Sequence, residues 1–167
     1  SRTANPTAQG VALRGIGGTA QSRSLVLVDG VPLNDAFGGW VYWDKIPQVA
    51  LDRVEVQRGS GSDLYGADAV GGVVQLLTQR PGRPSGTALF EGGGLGTGRV
   101  SLFAGGRTRG WRYSGSGEWF NIDGYIPVST EQDPGIPPRG PVDTLLGSTH
   151  LSGYGSTGYQ AANGWRF

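Results

Sequence analysis

Apolar and polar positions follow two different patterns along this chain. Up to Thr78, short runs of β-branched and aliphatic residues recur at Leu25 to Val28, Val54 to Val56 and Val73 to Leu77, each followed within a few residues by Gly or Pro. Such runs read as strands of a small globular sheet. Between them, Ile46 to Leu51 and Ser62 to Tyr65 have room for only a turn or two of helix, which makes the first part a mixed α+β unit. From Arg53 to Gln57 charged and apolar side chains alternate, turning Val54 and Val56 toward a core and Arg53, Glu55 and Gln57 away from it. Asp29-Gly30 supplies a tight turn after a buried strand, because Gly accepts positive φ and Asp can bond the turn backbone. Gly71-Gly72 brings the last strand close to its neighbours, and Tyr65 is expected inside the same core.

The pattern changes at Arg80-Pro81-Gly82-Arg83-Pro84, poor material for a helix or a central strand. We place a first unit at residues 1–80, a linker at 81–86 and a series of strands at 87–167. In this second part position parity carries the information. Trp111, Tyr113, Gly115, Gly117 and Trp119 occupy the odd positions; Arg112, Ser114, Ser116 and Glu118 occupy the even ones. A soluble sandwich would put Val, Leu and Ile on its apolar face, whereas aromatics at both ends with small residues between suit a lipid-facing strand with interfacial girdles. Weaker alternation from Thr87 to Gly93 and from Arg99 to Gly105, joined at Leu95-Gly96-Thr97-Gly98, reads as a hairpin. A third strand runs from Trp111 to about Tyr125, a polar loop from Pro127 to Pro141, and a fourth strand from Asp143 to Tyr154. Barrels of this kind need at least eight strands to close, so the expected fold is an α+β unit followed by antiparallel β-strands of an incomplete outer-membrane β-barrel.

Composition supports the β-rich reading, with Gly at 32 of 167 positions against a usual level of roughly 7%. The formal net charge is +1, from 14 Lys and Arg against 13 Asp and Glu, with no like-charge run to attract nucleic acid. No apolar run approaches the roughly 20 residues of a spanning helix, so a membrane crossing would be made by strands. Cys and Met are absent and the chain starts Ser1-Arg2-Thr3, from which we expect a processed or partial sequence.

Residues from Leu13 to Arg80 resemble the plug of TonB-dependent receptors. The matching pieces, in order, are Leu13-Arg14-Gly15, LVLVDGVPLND at Leu25 to Asp35, Gly38-Gly39-Trp40, IPQVALDRVEVQRG at Ile46 to Gly59 and GSDLYGADAVGGVVQLLT at Gly61 to Thr78. The resemblance implies an outer-membrane location in a Gram-negative bacterium and energised uptake of a scarce nutrient such as a siderophore-metal complex or cobalamin. The implied partners are the remainder of the barrel, TonB through a segment not included here, a small nutrient ligand and outer-membrane lipid. It also implies gating contacts between plug and wall by Arg14, Arg53, Glu55 and Arg58. Plug loops in this family help form the ligand site, which singles out the stretch from Ile16 to Arg23 and the aromatic-rich loop from Leu33 to Trp43. The named candidates are Arg23, Asn34, Asp35, Phe37, Trp40, Tyr42 and Trp43; amphipathic aromatics there suit ligand contact and wall contact equally. Where polysaccharide importers of the superfamily carry Lys-Asp this chain has Gln57-Arg58, which leans toward the siderophore and cobalamin branch. A non-transporting receptor or adhesin, and an oligosaccharide importer, are the alternatives.

An enzyme is not expected. Gly15-Ile16-Gly17-Gly18-Thr19-Ala20 formally matches a dinucleotide fingerprint, with Asp35 at a suitable distance, but the glycines lead into a strand where the fingerprint requires a helix N-terminus. His150 is the sole His, and Asp and Glu are scattered among turns, so no triad, metal cluster or cofactor site can be drawn.

Overall fold

The computed structural model describes residues 8–13, 23–125 and 145–160. Arg14, most of the stretch from Ile16 to Arg23, the glycine motif beginning at Gly15 and the loop from Pro127 to Pro141 lie outside the described residues.

The first unit is built on strands β1 (Ala8–Gln9), β2 (Ser24–Val28), β3 (Val31–Pro32), β4 (Val41–Tyr42), β5 (Leu51–Arg58) and β6 (Gly72–Thr78), with one short helix, α1 (Ser62–Tyr65). A four-stranded sheet has the order β3-β2-β6-β5, and β1 pairs with β4 in a separate two-stranded ribbon. β2 runs parallel to β6, with Ser24 opposite Gly72 and Val28 opposite Leu76. All five β2 residues are buried, as a strand covered on both faces requires. One face packs Val26, Val28, Val41, Val74 and Leu76 together. The other packs Leu25, Leu27, Ala69 and Val73.

Turn chemistry explains the connections. Asp29 and Gly30 have φ of 47° and 88°, the doubly positive pair that a two-residue hairpin between β2 and β3 demands. At Gly72, φ is +138° and a Cβ would lie 2.5 Å from the Gln57 carbonyl oxygen, so the close approach of β6 to β5 admits only Gly.

The expected turn of helix in Ile46 to Leu51 is a single 3₁₀ turn at Gln48–Ala50, preceded by another at Trp43–Lys45; the two stay separate because Pro47 lacks an N–H and disfavours helical geometry at the residue before it. Two expectations need correction. Val54 and Val56 do share the face of Leu76 and Val74 across the β5–β6 ladder, yet both are half exposed, since β5 is the sheet edge and that face opens onto a cleft. Tyr65, expected inside, is 42% exposed, because α1 is a single turn lying over the sheet end.

The second unit is an antiparallel sheet of β7 (Ser85–Gly92), β8 (Gly98–Thr108), β9 (Trp111–Ile122) and β10 (Ser148–Tyr159), each paired to the next. Residues 93–97 join β7 to β8, Arg109 and Gly110 form a two-residue turn with φ of 48° and 86°, and residues 123–147 join β9 to β10. The expected parity holds. In β9, Trp111, Tyr113 and Trp119 are exposed, whereas Ser114, Ser116 and Phe120 are half-buried and Glu118 is buried beneath the first unit. β10 alternates in step, placing Leu151 and Tyr159 outward and His150, Ser152 and Tyr154 inward. The fourth strand is thus shifted from Asp143–Tyr154 to Ser148–Tyr159, and the third stops at Ile122. β9 and β10 have 12 residues each, enough for a tilted strand to cross a hydrocarbon layer, which takes about 9–11.

Candidate functional site

The loop after β3 is held by local hydrogen bonds. Asn34 lays its amide across β2: its Oδ1 accepts from the Val26 N–H at 2.7 Å, and its Nδ2 donates to the Ser24 and Gly39 carbonyls at 3.2 Å each. Asp35 Oδ1 accepts from the N–H groups of Phe37 at 3.0 Å and Gly38 at 2.8 Å, an Asx turn that closes the tip. Both polar side chains are therefore engaged with backbone, and what the loop offers outward is aromatic. Phe37 projects from the tip, 93% exposed. The Trp40 ring folds back over Gly38, where any Cβ would run into it. Tyr42 meets Trp40 edge to face at 6.5 Å and carries the Lys45 ammonium 4.9 Å above its ring. Arg23 is exposed at the start of β2.

Behind this loop, a cleft of about 490 Å³ separates the first unit from the inner face of the second. Trp43, Ile46 and Val54 line one side; Phe120, Ile122 and His150 line the other. The wall also carries a polar ladder. Glu118 accepts a 2.7 Å hydrogen bond from the Ser101 hydroxyl and lies 3.8 Å from Arg99 Nε, while Arg99 Nη1 reaches Glu91 at 2.9 Å. His150 stacks on Phe120 at 5.0 Å.

Of the described candidate gating residues, Arg53, Glu55 and Arg58 lie on β5, the edge strand of the plug sheet. Arg53 pairs with Asp52 at 3.0 Å and Glu55 at 2.8 Å along its own exposed strand, and Arg58 is exposed. A polar contact between the units is made by a residue that the sequence assigned to a turn. Asp29 is only 13% exposed at its side chain, and its carboxylate is shared among three donors and a cation. Thr78 gives its N–H at 3.1 Å and its hydroxyl at 2.6 Å, Tyr154 of β10 gives its hydroxyl at 3.0 Å, and Arg80 Nη2 lies 3.5 Å away. The expected bond from Asp29 to the turn backbone is replaced by these, because φ of 47° swings the side chain back over β6. Burial would raise its pKa, but the Thr78 and Tyr154 hydrogen bonds and the Arg80 charge outweigh burial and hold it below the ordinary carboxylate value. With a depressed folded value, the contact is fully present above about pH 4 and is lost as pH falls through that lowered pKa. Its strength should therefore be unchanged from pH 8 to pH 5, as solvent exchange at the Thr78 amide would report.

Among the described residues no group of three His, Cys, Asp or Glu could hold a metal ion. No helix among them is long and apolar enough to cross a membrane, which leaves crossing by strands untouched.

A mixed plug-like sheet held against one face of an antiparallel wall, with aromatics on the other face of that wall, defines the class. Residues 1–73 match the TonB-dependent Receptor Plug Domain. This match assigns residues 1–73 to the plug of the TonB-dependent receptors, a non-enzymatic family that resides in the Gram-negative outer membrane. It is 37% identical over 89 residues to the vitamin B12 transporter BtuB of Vibrio cholerae serotype O1, covering 53% of this chain and 15% of that protein. BtuB of Vibrio vulnificus is 44% identical over 61 residues, 36% of this chain and 10% of the relative. The chain thus spans a small part of the curated relatives that it matches. In fold it is similar to the siderophore receptor PirA from Pseudomonas aeruginosa, with a TM-score of 0.58 at 24% identity over 93% of this chain and 27% of PirA. The ferric citrate transporter FecA gives a TM-score of 0.55 at 22% identity, over 72% of this chain and 20% of FecA. Both β7–β10 and the plug sheet have their counterparts in such receptors.

Proposed function

We propose that the chain supplies the plug and the opening wall strands of a transporter that takes up a scarce nutrient, a cobalamin or a siderophore-metal complex, with energy delivered through TonB. The observation that carries this reading is the docking of the plug, through Asp29 and Tyr154, on the side of β7–β10 opposite the exposed aromatics. Support for the substrate class comes from the vitamin B12 transporters and from the plug pieces shared with that branch.

In outer-membrane barrels short turns face the periplasm and long loops face outward. The Arg109–Gly110 turn then marks the periplasmic end, and Ile122 at the end of β9 with Ser148 at the start of β10 marks the outer end. Trp43 lies beside Ile122 and His150, close to that outer end, which supports reading the plug loop as a ligand-facing one. In this reading Phe37, Trp40, Tyr42 and Trp43 offer ring faces to the ligand, Asn34 and Asp35 hold the loop in shape, and Arg23 flanks the entry. Replacing Phe37 by Ala should weaken ligand binding about tenfold, the loss of roughly 1–2 kcal/mol from one exposed aromatic contact, with plug stability unchanged; calorimetry on the complete transporter measures both.

Arg53, Glu55 and Arg58 lie on the free edge strand, where charged contacts that water can replace would let the plug slide on wall strands beyond β10. Arg53→Ala combined with Arg58→Ala should raise entry of a large antibiotic through the complete transporter, read as a lower inhibitory concentration; an unaltered value would remove these residues from gating.

The function itself is tested by labelled cobalamin and ferric siderophore uptake in cells with and without the complete gene. Uptake that needs the gene and stops on loss of TonB is expected. Binding without TonB-dependent accumulation would favour the passive receptor or adhesin, and accumulation of an oligosaccharide would favour that importer class.

A further inference from the structure

Strand β10 turns His150, Ser152 and Tyr154 toward the plug as one row of side chains. Tyr154 is engaged, its hydroxyl donating to Asp29 at 3.0 Å. The two residues nearer the start of the strand are not: His150 Nδ1 and the Ser152 hydroxyl are covered and have no hydrogen-bond partner among the described residues. Against this strand packs the 3₁₀ turn Trp43–Lys45 of the plug, where Asp44 Oδ1 is covered and unpartnered in the same way. Covered polar atoms without partners are rare in native folds, because each has given up its bonds to water for nothing. Here one is a carboxylate acceptor on the plug and two are groups able to donate on the wall. The other nitrogen of His150, Nε2, lies 4.0 Å from Glu118 Oε1, too far for a hydrogen bond, so Nδ1 is free to carry the ring proton.

The room for these groups to meet is the cleft of about 490 Å³, which both Asp44 and His150 line. Its plug side carries Ile46, Leu51 and Val54 and its wall side Phe120 and Ile122, so narrowing it would bury apolar surface on both sides. The Asp29 and Tyr154 bond ties the plug to β10 further along the same row. A small rotation of the plug about that tie would carry Asp44 toward Ser152 and His150. Trp43, 37% exposed and next in sequence to Asp44, puts the turn within reach of whatever presses on the loop from Leu33 to Trp43.

We propose that Asp44 closes onto Ser152 and His150 when the nutrient occupies that loop, making a second contact between plug and wall that is open in this structure and reports an occupied site. The inference rests on the ligand-facing reading of the loop. The nutrient favours the closed position through Trp43, and the coupling is reciprocal: closing the contact must tighten the hold on the nutrient.

The test places Asp44→Cys with Ser152→Cys in the complete transporter, residues 1–167 having no Cys of their own. Cyanocobalamin and, in parallel, ferric enterobactin serve as probes. Under mild oxidation the disulfide should form about fivefold faster in the presence of the probe that binds, and the oxidised protein should hold that probe tighter than the reduced protein by a similar factor. Asp44→Cys with His150→Cys is an independent pair and should respond in the same direction. Equal rates with and without bound probe in both pairs would overturn the proposal, whether the contact is never made or always made. So would a rate that falls on binding, which assigns the closed position to the empty transporter. Failure of the unsubstituted transporter to bind either probe would instead contradict the uptake reading on which the inference stands.

Discussion

Asp29→Ala in the complete transporter is expected to loosen the plug more than any substitution on the exposed face of β5. The carboxylate joins the β2–β3 turn, the end of β6, Arg80 and a wall strand at a single point. Removing it strands the buried Thr78 N–H and hydroxyl and the Tyr154 hydroxyl, at about 1–3 kcal/mol for each group left without a partner in a buried setting. Tyr154→Phe keeps the packing of the ring against the Val26 and Leu76 face and loses one hydrogen bond, so its cost should be nearer 1 kcal/mol. The two residues share that bond, and the double variant should therefore cost less than the sum of the singles. Denaturant titration of plug unfolding inside the intact barrel gives the coupling energy, and strict additivity would mean that the bond contributes nothing.

The second large effect is expected at Gly72. Ala there would combine an unfavourable φ of +138° with a Cβ 2.5 Å from the Gln57 carbonyl, and that carbonyl belongs to the adjoining strand, not to a flexible side chain. Several kcal/mol of strain should follow, enough to cancel the stability margin of a small domain. The measured outcome should be loss of folded transporter from the outer membrane, with the protein recovered in degraded form. By contrast Gly82→Ala, where nothing lies within 4 Å of the added carbon, should be tolerated. Equal yields for both substitutions would show that the β5–β6 approach is looser than described.

Much of this architecture could be read before any coordinates, for identifiable reasons. The β2 run, the β6 run and the single turn at Ser62–Tyr65 carry strong local signals, and the aromatic parity of β9 is a property of period two that no tertiary contact has to supply. β10 ends later than its alternation suggests because Gly155, Ser156, Thr157 and Gly158 give no apolar edge from which to fix its end. Val54 and Val56 face the anticipated side, but how far a strand is covered depends on its place in the sheet, and edge position is invisible to alternation.

The candidate site was legible in part. The aromatics of the 33–43 loop stand out by type, and Phe37 and Trp43 are exposed as a contact loop requires. Asn34 and Asp35 looked like ligand groups because a polar side chain in a loop does not reveal whether its partners are water or nearby backbone. Asp29 was hidden for a different reason. An Asp-Gly pair explains itself as a turn, and its partners Thr78 and Tyr154 are 49 and 125 residues away. An acid directly after a run of buried aliphatics was the available signal, since a buried carboxylate requires donors from somewhere.

The central claim is that β7–β10 present one face to lipid and the other to the plug. Spin labels placed in the complete, reconstituted transporter through Leu102→Cys and Leu151→Cys, and through Ser116→Cys and Ser152→Cys, measure this most directly. The first two should relax with oxygen dissolved in the bilayer and be shielded from an aqueous nickel chelate, while the second two should escape oxygen. Comparable chelate access at Leu102 and Leu151, with no contrast between odd and even positions of β10, would contradict a membrane wall and with it the plug that the wall encloses.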